Sequence, residues 1–226
     1  MTIDGNALRA AVLGGNDGLV SNLSLVMGVA GAGADRPAII IAGLAGLVAG
    51  ALSMALGEWL SVKSARELHA NQLAQQARDL REHPEREARQ LGEIYRQRGI
   101  PGGLAGRLAN SLVRHNPEAA LQTMAREEMG IDPVDLGGSA WVAALTSFIL
   151  FGLGAAVPLL AFIVTGGALA IGIAVGLSGV LLFGIGAAIT RVTGRSVLFS
   201  GGRQLLFGIV AAAITFGIGS LVGIAV

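Results

Sequence analysis

The chain has 226 residues, of which 53% are hydrophobic and only 14% are charged, and its formal net charge is +1. An average soluble domain carries about 25% charged residues, so this composition excludes an ordinary soluble protein. The balanced signs of the charges argue against a nucleic-acid partner. Cysteine is absent, which excludes disulfides, thiolate metal sites and cysteine nucleophiles. Any metal must therefore be held by oxygen, imidazole or thioether ligands.

Long apolar stretches dominate the chain in sequence order. A helix needs about 20 mostly apolar residues to cross the hydrocarbon core of a bilayer. Five stretches reach that length, at 7–33, 38–62, 139–164, 167–189 and 204–224. As buried helices of a soluble core they would lack an amphipathic shell, and the first is too long and too polar at its centre for a cleavable signal. The sequence predicts an all-α integral membrane protein with five transmembrane helices.

Most of the charged residues lie between the second and third stretches. They predict a helical cytoplasmic insert at 64–138, with transmembrane helices 1 and 2 at 1–63 and transmembrane helices 3 to 5 at 139–226. Residues 64–82 contain no glycine or proline, so we expect the second helix to continue into the insert. Shorter helices are expected at 85–98, 104–115 and 118–129, and no segment alternates like a strand.

Basic residues near the ends of the spans predict the orientation of the chain. One side carries Arg9, Lys63, Arg66, Arg191, Arg195 and Arg203, whereas the opposite connections carry only Asp35 and Arg36. We therefore expect a cytoplasmic N-terminus and an outside C-terminus. The short connections and the lack of a targeting extension favour a bacterial cytoplasmic membrane.

Asp17 lies within the first apolar stretch. A charge at membrane depth costs on the order of 3 kcal/mol or more, and such residues commonly belong to ion paths. The alternative is a buried structural hydrogen bond. In the second stretch, Met54 and Glu58 are four residues apart and share one helix face. A thioether near a carboxylate suits a borderline or soft divalent metal, although Met54 alone would also fit simple packing and Glu58 could merely reach water.

Glycine is abundant, at 35 of 226 residues. The pairs Gly14–Gly18 and Gly46–Gly50 have the four-residue spacing that allows membrane helices to approach closely. Glycines on both of the first two spans predict that these spans pack against each other or against a second subunit. Generic tight packing is the alternative.

Motifs of enzymes and ATP-driven pumps are absent from the sequence. The chain has no phosphate-binding Gly-Lys-Ser/Thr loop, no nucleophile elbow and no His-Glu-x-x-His motif. We therefore predict that the protein is not an enzyme and that any transport is driven by a gradient. The three histidines, His69, His83 and His115, have no paired ligand spacing and are expected at the solvated surface.

Several separate motifs resemble the vacuolar iron transporter family. They are Asn16-Asp-Gly-Leu-Val20, Gly50-Ala-Leu-Ser-Met54 with Gly57-Glu58, Pro84-Glu-Arg-Glu87, Ile94-Tyr95 and Thr193-Gly-Arg-Ser196. The resemblance implies a homodimer that exports Fe²⁺, and sometimes Mn²⁺ or other divalent metals, from the cytoplasm in exchange for protons, without a permanently bound cofactor. It also implies that Asp17 and Met54 line the metal path at the dimer interface.

The resemblance further implies metal ligands in the insert, at Asp79, Glu87, Met124 and Glu128. The match is partial, because Gln76 and Gln90 stand where the family has glutamates and Ala125 replaces a second methionine. An amide is a weaker ligand than a carboxylate for a divalent cation. We expect a site of lower occupancy, or none; otherwise these residues form solvated faces and ordinary helix contacts.

These observations suggest a transport mechanism. The metal would enter past Glu58, exchange part of its water shell for Asp17 and Met54, and leave when a proton takes the same carboxylate oxygens. Two alternatives remain open: a membrane-embedded regulator or scaffold that binds metal without moving it, and a transporter of a small organic cation or of protons alone.

Overall fold

The computed structural model describes residues 5–133 and 138–225, excluding the side chains of 5–11 and 192–193. Within these ranges the chain forms eight α-helices and no strand, which confirms the all-α prediction. The chain divides into an apolar unit, Met1–Leu60 with Ala140–Val226, and an insert, Ser61–Ser139. Residues 1–4 of the first predicted span region, 134–137 of the predicted insert and 226 lie outside the described residues.

The apolar unit is built from long helices. These are α1 (Gly5–Gly31), the first part of α2 (Arg36–Glu82), α6 (Ala140–Val164), α7 (Gly167–Thr193) and α8 (Val197–Ala225). Among the described residues, four helices are long and apolar enough to cross a membrane: α2, α6, α7 and α8. Helix α1 is less apolar because five polar side chains interrupt it within nine residues, Asn16, Asp17, Ser21, Asn22 and Ser24.

Helix α1 is enclosed by its neighbours through close backbone contacts. A Cβ atom at Gly18 would lie 2.9 Å from the carbonyl carbon of Phe151 in α6, and one at Gly219 of α8 would lie 2.9 Å from that of Gly28. Leu23, Val26 and Met27 of α1 belong to a buried cluster that also contains residues of α2, α6, α7 and α8. Helix α1, which is less apolar than α6, α7 and α8, is therefore in close contact with protein along its length.

These contacts correct part of the glycine prediction. The face of α1 that carries Gly14 and Gly18 packs against α6 and not against the second span. Spacing indicated close approach correctly but could not identify the partner. In α2, Gly46 accommodates the Asn22 and Leu25 side chains of α1, whereas Gly50 accommodates Phe151 of α6.

The insert contains the end of α2 and three short helices, α3 (Pro84–Gln97), α4 (Gly102–His115) and α5 (Pro117–Glu127). The predicted continuation of the second span to residue 82 is confirmed, and the short helices begin and end within two residues of the predicted bounds. Asn116 caps α5, because its Oδ1 accepts a hydrogen bond from the Ala119 amide at 3.1 Å. Leu80, Leu91 and Met124 lie in the insert's buried core.

Candidate functional site

A polar cleft of about 310 Å³ lies between α1, α2 and α6 in the apolar unit. Its lining residues are Asp17, Ser21, Asn22 and Leu25 from α1, Gly46, Gly50, Ser53 and Met54 from α2, and Phe151 from α6. Asp17 and Met54, which are far apart in sequence, thus line the same cleft. The serines and the asparagine add further oxygens among apolar walls.

Asp17 lies on an exposed stripe of α1. Residues Leu13, Asp17, Ser21 and Leu25 follow one another at four-residue intervals and are all exposed. The Ser21 hydroxyl donates a hydrogen bond of 2.7 Å to Oδ1 of Asp17. Asp17 therefore presents its carboxylate to the cleft and does not form a buried structural hydrogen bond.

Met54 has a dual position. It packs against the buried cluster of Ala51, Phe151 and Ala155, and it also lines the cleft. Packing holds the side chain in place while it contributes to the cleft wall. A thioether and a carboxylate in one cleft form a donor set of mixed softness.

Glu58 lies one turn beyond Met54 on α2. Its side chain is buried, with 8% relative exposure, so it does not simply extend into water. It is not among the described residues that line the cleft. The structure thus brings Asp17 and Met54 together but leaves Glu58 outside their immediate surroundings.

Asn22 was not selected by the sequence analysis, although it lines the cleft and is among the most buried polar residues of the apolar unit. Its Nδ2 donates a hydrogen bond of 2.6 Å to the carbonyl oxygen of Ala155 in α6. An asparagine five residues after Asp17 in an apolar segment was the available signal. It was insufficient because the pattern does not show which way α1 faces.

Three of the residues at positions where the family resemblance places metal ligands meet in the core of the insert. Nε2 of Gln76 donates a hydrogen bond of 2.6 Å to Oε2 of Glu87 and another of 3.4 Å to Sδ of Met124. Arg86 donates to Oε1 of Glu87 at 2.9 Å and pairs with Asp79 at 3.6 Å. Glu87 is 2% exposed. Its carboxylate is therefore already neutralised by a guanidinium and hydrogen-bonded by an amide.

Glu128 is likewise engaged, because Nε2 of Gln90 donates a hydrogen bond to it. His83 and His115 are exposed, as predicted, while His69 is partly buried. In the part of the chain that the structure describes, no three His, Asp or Glu side chains group closely enough to hold a metal ion. The insert thus collects polar side chains without assembling a dense carboxylate site.

On the insert surface, Arg96 donates hydrogen bonds of 2.8 and 2.6 Å to the Glu93 carboxylate. These bonds lower the pKa of Glu93 and raise the pKa of Arg96. Both groups are exposed and belong to a solvated helix face, unlike the buried Glu87.

Long apolar helices around a polar cleft define a helical integral membrane protein. A family model described as the VIT family matches residues 8–220, and the chain belongs to that family. It is 32% identical to vacuolar iron transporter 1 of Oryza sativa subsp. japonica, over 96% of the chain and 86% of the relative. It is 33% identical to vacuolar iron transporter 1 of Arabidopsis thaliana, over 94% of the chain and 84% of the relative.

A third relative, the vacuolar iron transporter of Acanthamoeba castellanii, is 35% identical over 95% of the chain and 78% of its own length. These relatives confirm the family resemblance inferred from the motifs. They are named as transporters, which agrees with the prediction that the chain is not an enzyme.

Proposed function

We propose that the protein exports a divalent metal ion from the cytoplasm, with Fe²⁺ as the main substrate and Mn²⁺ as a second one. The observation that carries the proposal is that the Asp17 carboxylate and the Met54 thioether line the same cleft. The names of the relatives support iron as the cargo. The metal is a substrate that passes through, and no permanently bound cofactor is required.

Proton exchange is part of the same proposal. A carboxylate in a poorly solvated site binds either a cation or a proton on the same oxygens, so the two compete. Asp17 would hold the metal while it is ionised and release it when protonated. The Ser21 hydroxyl bonds one of the two carboxylate oxygens, Oδ1, and thereby orients the carboxylate. Glu58, buried one turn beyond Met54, is proposed as a station on the cytoplasmic approach.

The proposed topology has five spans, with α1 as the first. Close contact of α1 with α6 and α8 keeps Asn22 buried and Asn16 and Ser24 partly buried, so its lower hydropathy is compatible with a membrane position. The insert and the N-terminus would be cytoplasmic and the C-terminus outside, as the basic residues near the span ends favour. The bacterial cytoplasmic membrane is proposed as the location.

A homodimer is proposed from the exposed stripe of α1. Asp17 and Ser21 lie on that stripe between Leu13 and Leu25. An ionised carboxylate facing hydrocarbon costs on the order of 3 kcal/mol or more. A second copy of the chain laid against this face would remove Asp17 from lipid and close the cleft into a path.

The insert is proposed as a secondary metal site of low occupancy, at Asp79, Glu87, Met124 and Glu128. A metal would have to displace Gln76 and Arg86 from Glu87 before it could bind there. The intramembrane cleft is therefore the main binding position of the proposal.

Uptake into proteoliposomes under an imposed pH gradient tests the proposal. Wild-type protein should accumulate Fe²⁺ only with the gradient. Asp17→Asn should abolish uptake, because the amide lacks the negative charge for which the metal and the proton compete. Asp35→Asn is the matched control: Asp35 is exposed and accepts a hydrogen bond from the Ala38 amide at the start of α2. Full uptake by Asp17→Asn would refute the proposal, and metal binding without uptake by wild type would favour the regulator.

A further inference from the structure

Asn22 has an amide whose orientation in the cleft can be assigned. The Ala155 carbonyl oxygen can only accept a hydrogen bond, so the Asn22 atom that lies 2.6 Å from it is the nitrogen. The other amide atom, Oδ1, must then point elsewhere. A Cβ atom at Gly46 would lie 2.9 Å from this oxygen, so Oδ1 faces α2 across the gap beside Gly46.

Oδ1 of Asn22 is buried and receives no hydrogen bond from any residue that the structure describes. The whole residue is 2% exposed. A buried polar atom without a partner costs about 1–3 kcal/mol, and most such atoms in proteins are paired. The hydrogen bond to Ala155 satisfies the nitrogen of this amide, whereas its oxygen has no hydrogen-bond donor among the described residues.

The surroundings of Oδ1 belong to the cleft that Asp17 and Met54 line. Gly46 has no side chain, which leaves the oxygen a gap toward α2. The end of the Leu25 side chain lies in the same gap, against the position that a Gly46 Cβ would take. Oδ1 and the flexible end of Leu25 therefore stand side by side at this gap.

We propose that Oδ1 of Asn22 is a third ligand for the transported cation, beside Asp17 and Met54, and that it sets the preference among divalent metals. This inference rests on the proposed function. An amide carbonyl is a neutral, hard oxygen ligand, which favours Mn²⁺ relative to softer metals, whereas the thioether has the opposite preference. Because the amide does not titrate, it acts on the metal and leaves proton exchange to Asp17.

Asn22→Leu tests the proposal, because leucine has a similar size and lacks the oxygen. Mn²⁺ uptake should fall by about tenfold, at the lower end of what loss of a metal-site partner costs, and Fe²⁺ uptake should fall less. Gly46→Ala provides a second test that keeps the hydrogen bond to Ala155. Its Cβ would lie 2.9 Å from Oδ1 and obstruct it, so the Mn²⁺/Fe²⁺ ratio should fall here too.

Gly152→Ala is the matched control on α6. A Cβ atom there meets nothing within 4 Å, so this variant should keep the wild-type Mn²⁺/Fe²⁺ uptake ratio. An unchanged Mn²⁺/Fe²⁺ ratio in folded Asn22→Leu and Gly46→Ala would overturn the assignment of Asn22 as a ligand.

The ratio of Mn²⁺ to Fe²⁺ dissociation constants, measured by anaerobic equilibrium binding to the purified full chain, separates the two proposals. If wild type binds both metals without transporting them, the proposed function fails. A larger ratio of the Mn²⁺ to the Fe²⁺ dissociation constant in Asn22→Leu would still support the ligand in that case. If transport is normal and Asn22→Leu changes neither the uptake ratio nor the ratio of dissociation constants, the ligand assignment alone fails.

Discussion

The α1–α6 contact determines where Asp17 and Asn22 stand relative to the rest of the cleft, and Gly154→Ala tests it. Gly154 lies on α6 against the backbone of α1. An added Cβ would lie 2.9 Å from the backbone nitrogen of Leu19 and closer still to the carbonyl oxygen of Gly15. Neither backbone atom can rotate away, so the two helices must separate.

Gly152→Ala is the matched control, two residues earlier on the same helix. A Cβ there meets nothing within 4 Å. Alanine stabilises a helix interior by roughly 0.5–1 kcal/mol relative to glycine in both variants, so this gain cancels in the comparison. Overpacking against fixed atoms costs about 1–3 kcal/mol. We expect Gly154→Ala to have a free energy of unfolding about 1–3 kcal/mol below that of Gly152→Ala.

Unfolding in mixed detergent micelles can be followed by the fluorescence of Trp59 and Trp141, whose rings lie 5.9 Å apart, edge to face, in the apolar unit. Denaturant midpoints and slopes would be compared for wild type and both variants. Equal stability of Gly154→Ala and Gly152→Ala would show that α1 does not approach α6 through this surface. The geometry argued for the cleft would then be wrong.

Two further changes test the donor chemistry. Met54→Leu keeps the packing against Phe151 but removes the sulfur, so Fe²⁺ uptake should fall by about tenfold and Mn²⁺ uptake less, as ligand softness requires; equal losses in uptake assays would remove the thioether from the mechanism. Gln76→Glu places a second carboxylate beside Glu87, which should lower the protection of α3 amides from hydrogen exchange without metal and restore it with Mn²⁺. Protection that does not respond to Mn²⁺ would contradict a latent metal site there.

Matching the insert to the family motifs predicted some of the contacts around Glu87 and missed one. Glu87 and Met124 do meet in the core, together with Gln76, and the exchange of glutamate for glutamine was visible in the sequence. The role of Arg86 was not visible in the sequence, because an arginine next to Glu87 on a helix with many charged residues is expected to be solvated. The burial of Glu87 is a tertiary property: Gln76, at the end of α2, donates to one carboxylate oxygen, and Arg86, its neighbour on α3, donates to the other.

In the apolar unit, apolar runs predicted the long helices because the length of such a run is a local property, and among the described residues four of them, α2, α6, α7 and α8, are apolar enough to cross a membrane. The glycine spacing also predicted close helix approach, for the same reason. The partner of each glycine is a tertiary choice: α1 packs against α6 and α8, a result that no local pattern encodes.

The sequence by itself determined the helical membrane class, the insert and the unusual residues Asp17 and Met54, since composition, periodicity and motifs are written along the chain. The tertiary structure decided that these two residues share one cleft with Asn22. It also decided that the Asn22 amide nitrogen bonds to α6 while its oxygen has no hydrogen-bond partner among the described residues. The physical reason is that side-chain chemistry is local, whereas the direction in which a polar group points depends on the helices packed around it.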